Sequence, residues 1–229
     1  GKITFLSLTQ DDLLVLERVR VAIPSNKWGP PRWLGSEGGV SFTVPRGGTV
    51  LLRGESGVGK SSLLRSVAGL WDDGSGVIRR ADKIFFVPQT PYLPAGQAGS
   101  ATTLREQLWY PDGPPNDLMQ EADLRVALEE VKLSHLSDDL DAEKDWNTAL
   151  SGGERQRLVF ARLLVQLRNK NVDLPVVLLD EATSACSEKA EEGLYQALLS
   201  CTKPLNGAVI SVGHRSSLQQ FHEQLVTLE

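Results

Sequence analysis

The sequence predicts an α/β domain: a largely parallel sheet with helices packed on it and a helical stretch inserted into its middle. Three observations predict this. Short apolar runs bounded by Gly and Pro alternate with segments of helical period, the order that a sheet flanked by helices requires. Residues 49–52 and 175–179 are continuous apolar runs, as expected of strands buried on both faces. Between about residues 103 and 168 the texture turns helical and no strand pattern interrupts it.

The elements follow in order. Residues 14–22 alternate apolar and polar side chains and read as a strand. A second strand over 40–44 is stopped by Pro45-Arg46-Gly47-Gly48, and the buried run 49–52 follows at once. Residues 61–70 have helical character, and 83–87 are a strand ended by Pro88. Leu124, Ala127, Leu128 and Val131 recur at i, i+3, i+4 and i+7, an amphipathic helix. A second long helix is expected over 151–167, a buried strand over 175–179, a helix over 188–199 and a closing strand over 207–212. The 21 Gly and 12 Pro cluster at 24–31, 45–48, 54–59, 72–76, 88–99 and 111–115, which read as turns between these elements.

Composition narrows the class. At 229 residues the chain suits one full domain rather than two large ones. With 41% hydrophobic and 23% charged residues it is neither a disordered tail nor collagen-like. A net charge of -5 argues against a protein that coats nucleic acid. No apolar run approaches the ~18 residues of a membrane span, and residues 1–8 lack the basic and apolar regions of a signal peptide. The chain opens on Gly1 rather than Met, as expected of a piece of a longer protein. Two cysteines, Cys186 and Cys201, give no disulfide framework and fit a reducing compartment. His135 and His222 carry no metal-site pattern and are expected at the surface, and nothing near Cys186 suggests a nucleophile.

Gly54-Glu55-Ser56-Gly57-Val58-Gly59-Lys60-Ser61 has the phosphate-loop spacing, G, four residues, then G-K-[ST]. Gly54, Gly57 and Gly59 let backbone N–H groups curl around an anion without Cβ clashes. The helix that follows turns its positive end toward the phosphates. Lys60 can reach the β- and γ-phosphates, and the Ser61 hydroxyl suits Mg²⁺, a hard ion that takes oxygen ligands. The strand leading in and the helix leading out are the context this motif needs.

Val176-Val177-Leu178-Leu179-Asp180-Glu181 is an apolar strand ending in two carboxylates. Ligands of open α/β sheets sit at the carboxyl ends of strands. Asp180 is therefore expected to face the Mg²⁺ held by Ser61, and Glu181 to orient or deprotonate an attacking water. In Leu150-Ser151-Gly152-Gly153-Glu154-Arg155-Gln156-Arg157, Ser151 and Glu154 have capping-box spacing, so a helix starts there. A cap explains those two residues. It does not explain Gly152 and Gly153, which weaken a helix but bare the backbone of a second anion-binding helix start.

These motifs together resemble the nucleotide-binding domain of an ABC (ATP-binding cassette) transporter. The chain carries the Walker A loop at 54–61 and a Q-loop Gln89 in Phe86-Val87-Pro88-Gln89. The LSGG signature at 150–153 and Walker B at 176–180 with Glu181 follow, then a switch His214 in Ser211-Val212-Gly213-His214-Arg215, all in the family's order. Finer pieces are similar to the peroxisomal-type fatty-acyl transporters (ABC subfamily D) and their bacterial and plastid relatives. They are Ala68-Gly69-Leu70-Trp71, Thr103-Leu104-Arg105-Glu106-Gln107-Leu108 with Tyr110-Pro111, Asp145-Trp146, and Ser217-Leu218 with Phe221-His222 after His214-Arg215.

The resemblance implies a P-loop NTPase (RecA-like) core with a mostly parallel sheet, an antiparallel β subdomain near the N-terminus and an inserted helical subdomain. It implies a linker from a preceding membrane region over 1–12 and an ABC domain over 13–229, with 89–162 as the Q-loop and helical signature subdomain. It implies an ATPase that takes ATP and Mg²⁺. Gly54, Ser56, Gly57, Gly59, Lys60, Ser61 and Ser62 hold the nucleotide; Ser61, Gln89 and Asp180 hold the metal; Glu181, His214 and Gln89 serve hydrolysis. Ser151, Gly152 and Gly153 close over the γ-phosphate bound by a second ABC domain, in a homo- or heterodimer. The further partner implied is the transmembrane domain of the same transporter, at the cytosolic face of a peroxisomal, plastid or bacterial inner membrane, with no nucleic acid. The cargo implied is a fatty acid or acyl-CoA.

Several points stay open at this level. Trp28 and Trp33 both precede the 40–44 strand, and either ring can stack on adenine or pack on the Pro-rich loop; Trp28 is favoured. Ser187 follows Ser184-Ala185-Cys186 where many ABC domains carry Asp, which weakens any coupling of the two sites through a carboxylate there. Residues 93–101 read as a mobile surface loop or, more sharply, as a contact with the membrane partner's cytoplasmic helices. A soluble ABC ATPase of DNA repair or translation would need coiled-coil insertions or a second ABC domain, and a P-loop kinase or GTPase would need base-specific motifs. Neither is present in this sequence. A domain that binds ATP without hydrolysis is disfavoured by Glu181 and His214.

Overall fold

The computed structural model describes residues 1–8, 11–23, 31–34, 37–96, 101–111, 113, 121–168 and 172–229. Strands β1 (Thr4–Ser7), β2 (Asp12–Ile23), β3 (Arg32–Leu34), β4 (Val40–Pro45) and β5 (Thr49–Gly54) precede helix α1 (Lys60–Val67). Next come β6 (Gly74–Arg80), β7 (Ile84–Val87), β8 (Thr102–Thr103), α2 (Leu104–Trp109) and α3 (Glu121–Glu130). Then β9 (Glu143–Lys144), α4 (Trp146–Ala149), α5 (Gly152–Leu167), β10 (Val176–Asp180), α6 (Glu188–Thr202), β11 (Ala208–Val212) and β12 (Gln224–Leu228) complete the chain.

The chain divides into two compact units. One comprises residues 1–86, 173–181 and 205–229, the other 87–172 and 182–204. The first unit holds a five-stranded sheet in the order β12-β5-β11-β10-β7, in which β12, β5, β11 and β10 run parallel. β10 and β11 are buried at every residue, which is why they carry no alternation. A second sheet is built around β2, paired antiparallel with β3, β4 and β6. Leu52, Leu63, Leu64, Ile78, Leu178 and Ile210 belong to one apolar core cluster in this unit.

In the second unit α5 is the central element, packed by α2, α3 and α6. Its apolar residues are buried on nearly every side, from Leu158 to Leu167. The buried Arg162 of α5 donates to the carbonyls of Gln107 and Tyr92 and to Gln107 Oε1, and burial pushes its guanidinium down to about 10.

The parallel sheet, the antiparallel N-terminal sheet and the helical insertion match the fold class expected from the sequence. Several local expectations need correction. The stretch 1–12, expected as a linker, includes β1, which pairs in parallel with β6 from Thr4↔Val77 to Ser7↔Arg80. The Gly cluster at 72–76 is not only a turn but the start of β6. A Cβ on Gly74 would lie 2.1 Å from the Arg20 carbonyl oxygen, so the glycine marks a close approach across a bulged ladder. Within 93–101, Leu93 is buried and Pro94 accepts a 2.7 Å hydrogen bond from Gln107, so this end of the segment is anchored rather than mobile; residues 97–100 lie outside the described residues. His222, expected at the surface, is half-buried with both ring nitrogens engaged.

Candidate nucleotide site

The carboxyl ends of β5, β10 and β11 come to one edge of the parallel sheet, because Asp180 is in register with Val212 and Val212 with Leu52. β5 ends at Gly54, whose φ of 148° and contact with the Leu228 carbonyl exclude a side chain. The loop then turns through Gly57 and Gly59 at φ of 79° and 116°. Gly59 is the N-cap of α1, so no side chain caps the helix, and no acidic residue occupies its first turn. The exposed backbone donors of that turn and the helix dipole together favour an anion.

Lys60 is buried, and its ammonium donates to the carbonyls of Gly54 and Glu55 at 2.9 Å each. The lysine is thereby folded back over its own loop. Ser61 donates a 2.7 Å hydrogen bond to Asp180 Oδ1. Asp180 is 1% exposed, and burial raises its carboxyl above the ordinary range, with Ser61 opposing the shift. A hydroxyl and a desolvated carboxylate side by side are hard oxygen donors, and they fit Mg²⁺.

Glu181 adopts a left-handed backbone at φ 49°, uncommon for a residue with a side chain. Its N–H is held by the Val212 carbonyl at 3.1 Å, and its Oε1 lies 2.9 Å from His214 Nε2. A cavity of about 220 Å³ is lined by Ser56, Gly57, Gly59, Lys60, Ser61, Ser62 and Glu181, with Ile23 and Arg32. The Arg32 guanidinium donates to the Gly57 carbonyl. Sequence reasoning missed Ile23 and Arg32, which carry no motif. They are opposite partners in the β2–β3 ladder, and only that pairing brings them to the cavity. The neighbouring pair Ala22↔Trp33 points to the other face. Trp33 accordingly lies outside the cavity lining, with the Arg20 guanidinium 4.8 Å from its ring centre. Trp28 lies outside the described residues.

The remaining site residues belong to the second unit. Ser151 caps α5 with the full capping box, Glu154 accepting from the Ser151 N–H at 3.0 Å. Its bonds to Ser151 hold the Glu154 carboxyl below its usual range. Gly152 and Gly153 open the helix, and a Cβ on Gly153 would lie 2.9 Å from the Ala185 carbonyl. The second glycine thus has a packing reason, apart from the anion-binding role expected from the sequence. Gln156, on the same helix, donates to the Gln89 carbonyl at 3.5 Å and to Ser184 Oγ at 3.1 Å.

A glycine turn running from a buried parallel strand into a helix, with a buried carboxylate at the end of the next strand but one, defines a P-loop nucleoside-triphosphate-binding domain. A family model described as ABC transporter matches residues 38–184, and the chain belongs to that family. It is 39% identical over 191 residues to an uncharacterized ABC transporter ATP-binding protein of Haemophilus influenzae, covering 83% of this chain and 30% of that protein. It is 36% identical over 231 residues to the lysosomal cobalamin transporter ABCD4 of Homo sapiens, covering 95% and 34% respectively. ABC transporter D family member 2, chloroplastic, of Arabidopsis thaliana is 35% identical over 228 residues, covering 78% of this chain and 30% of that protein. A bacterial Atm1-family ABC exporter with ATP bound shares the fold, with a TM-score of 0.73 and 24% identity over 97% of this chain and 38% of that one. The chain thus spans about a third of the length of the curated relatives it matches. Among the described residues no helix is long and apolar enough to cross a membrane.

Proposed function

We propose that this domain binds Mg-ATP in the Gly54–Lys60 cradle and hydrolyses it when paired with a second ABC domain, powering transport through a transmembrane domain of the same transporter. The observation that carries this reading is the Glu181–His214 pair at 2.9 Å, with Glu181 in the wall of the cavity that the phosphate loop encloses.

The bare loop backbone, with Ser56 and Ser62 beside it, binds the phosphates, and Lys60 leaves its two loop carbonyls to neutralise them. Ser61 and Asp180 would hold the metal, with Gln89 the further ligand that the family resemblance implies, and the bound metal would offset charge developing on the phosphates. Glu181 accepts the proton of the attacking water or orients it, and His214 fixes the Glu181 carboxylate and meets the γ-phosphate. Catalysis is then positioning and charge stabilisation, without a covalent intermediate. Ser151, Gly152 and Gly153 serve the nucleotide bound by the partner domain, which would make each bound ATP part of the dimer interface. Trp28 is the favoured adenine-stacking aromatic in this reading, and it lies outside the described residues.

The ATP-binding domain comprises residues 13–229 together with β1, which pairs on β6; it is attached to a membrane region and lies on the cytosolic face of a peroxisomal, plastid or bacterial inner membrane. The cargo reading, a fatty acid or acyl-CoA, is supported by the subfamily D resemblance alone. One similar protein of that subfamily is named a cobalamin transporter, so subfamily membership does not by itself select the cargo.

Glu181→Gln tests the central role. It keeps the hydrogen bond to His214 but removes the base, and turnover should fall by about a hundredfold or more while ATP affinity holds. An ATP-dependent dimer should accumulate in size-exclusion chromatography. Full-rate hydrolysis by this variant would remove Glu181 from the mechanism.

A further inference from the structure

His222 is the one histidine among the described residues whose ring is bonded on both sides to buried or backbone groups. It follows the 3-10 turn Ser216–Phe221. Its Nδ1 lies 2.7 Å from the Leu218 carbonyl oxygen and its Nε2 lies 2.9 Å from the Ser211 hydroxyl. A carbonyl only accepts, so Nδ1 carries the proton. In the neutral ring Nε2 is then a lone pair, and the Ser211 hydroxyl donates to it. Burial pushes the His222 imidazole below its usual range, in keeping with that neutral form. Ser211 is fully buried on β11, three residues ahead of His214.

The segment between these two residues is gripped at further points. A Cβ on Gly213 would lie 2.2 Å from Leu218 Cδ1, so the turn rests directly on the backbone at 213. The Leu218 N–H and the Arg53 guanidinium both donate to the Arg215 carbonyl, at 3.3 and 3.2 Å. On the other side of the loop the Val212 carbonyl holds the Glu181 N–H. The His214 side chain is 55% exposed. It has little packing to set its direction, so its aim at Glu181 depends on how firmly its backbone is held.

We propose that His222 is a positioning residue for His214: its neutral imidazole bolts the 216–221 turn to β11 and thereby fixes the short loop that presents His214 to Glu181. This rests on the reading of Glu181 and His214 as the pair that acts on ATP. The job needs one N–H and one lone pair on opposite sides of a small planar group. Imidazole supplies both; a glutamine amide supplies both with less rigidity, and phenylalanine supplies only the volume.

The test measures steady-state ATP hydrolysis, nucleotide affinity and thermal midpoint on this chain for His222→Phe, His222→Gln, Ser211→Ala, His214→Ala and the double variant His214→Ala/His222→Phe. His222→Phe should lower kcat about ten- to a hundredfold, the scale of a misplaced catalytic group, with ATP affinity unchanged. His222→Gln should recover much of the loss. Ser211→Ala, which deletes the other end of the bolt and leaves the ring in place, should lower kcat in the same direction. In the His214→Ala background His222→Phe should change nothing further. Wild-type kcat in both His222→Phe and Ser211→Ala would overturn the proposal, as would equal losses from His222→Phe with and without His214. Full turnover by His214→Ala would instead overturn the reading of the Glu181–His214 pair on which the proposal stands.

Discussion

Gly54 ends β5 and opens the phosphate loop, and Gly54→Ala perturbs both at once. At φ 148° the new Cβ would lie 2.5 Å from the Leu228 carbonyl oxygen and 3.1 Å from Val58 Cγ1. The backbone geometry alone costs a residue with a side chain ~1–3 kcal/mol. Ordinary contact begins at 3.4 Å, so the Leu228 carbonyl must retreat by the difference, 3.4 less 2.5, or about 0.9 Å. Leu228 ends the edge strand β12 and pairs with Gly54, so that retreat loosens about one ladder hydrogen bond, ~1 kcal/mol. The sum is ~2–4 kcal/mol, which for a chain of this length lowers the thermal midpoint by roughly 4–16 °C.

Gly193 is the internal contrast. It sits inside α6, with an ordinary backbone and nothing within 4 Å of where a Cβ would be. Gly193→Ala should therefore raise stability by ~0.5–1 kcal/mol. Scanning calorimetry with and without ATP separates the two. The midpoint gain from ATP, which scales with the logarithm of concentration over Kd, should shrink for Gly54→Ala and persist for Gly193→Ala. Shifts of the same sign in both variants, or an unchanged midpoint for Gly54→Ala, would refute the reasoning.

Lys60→Ala removes a charge-assisted donor worth ~1.5–3 kcal/mol, so nucleotide affinity should fall about ten- to a hundredfold in a titration with a fluorescent ATP analogue. Asp180→Asn should separate stability from activity. Burial raises the Asp180 pKa, so its contribution to stability is fully present below the unfolded value of 3.8 and lost as pH rises through the folded value. At pH 7 the Asn variant should therefore melt higher than wild type in the absence of nucleotide, yet lose Mg²⁺-dependent turnover; a lower midpoint would contradict the burial argument. Ser151→Ala removes the capping box of α5 and should destabilise the chain by ~0.5–2 kcal/mol, read as a lower denaturant midpoint.

Much of this site is legible in the sequence because the chemistry is local. A phosphate loop needs glycines, a lysine and a hydroxyl at fixed spacing within eight residues. A capped helix needs Ser151 and Glu154 three apart, and the structure contains both bonds of that box. The buried runs at 49–52 and 176–179 are equally local, since strand residues covered on both faces are mostly apolar. β6 was not legible. Its Gly-Ser-Gly start has the composition of a turn, and the reason for glycine is the Arg20 carbonyl of a distant strand.

The same division holds for function. The sequence by itself determined that the chain carries a nucleotide loop, a strand-end carboxylate pair and a second glycine-opened helix, because each is a short-range pattern imposed by backbone geometry. Only the tertiary structure decided which residues meet. It put Ser61 on Asp180 across 119 residues and His214 on Glu181 across 33. It brought Ile23 and Arg32 to the cavity while turning Trp33 away, and it buried His222 against Ser211. The physical reason is that strand register and the face a side chain takes are properties of a pairing between segments, and neither partner of such a pairing records the other in its own composition.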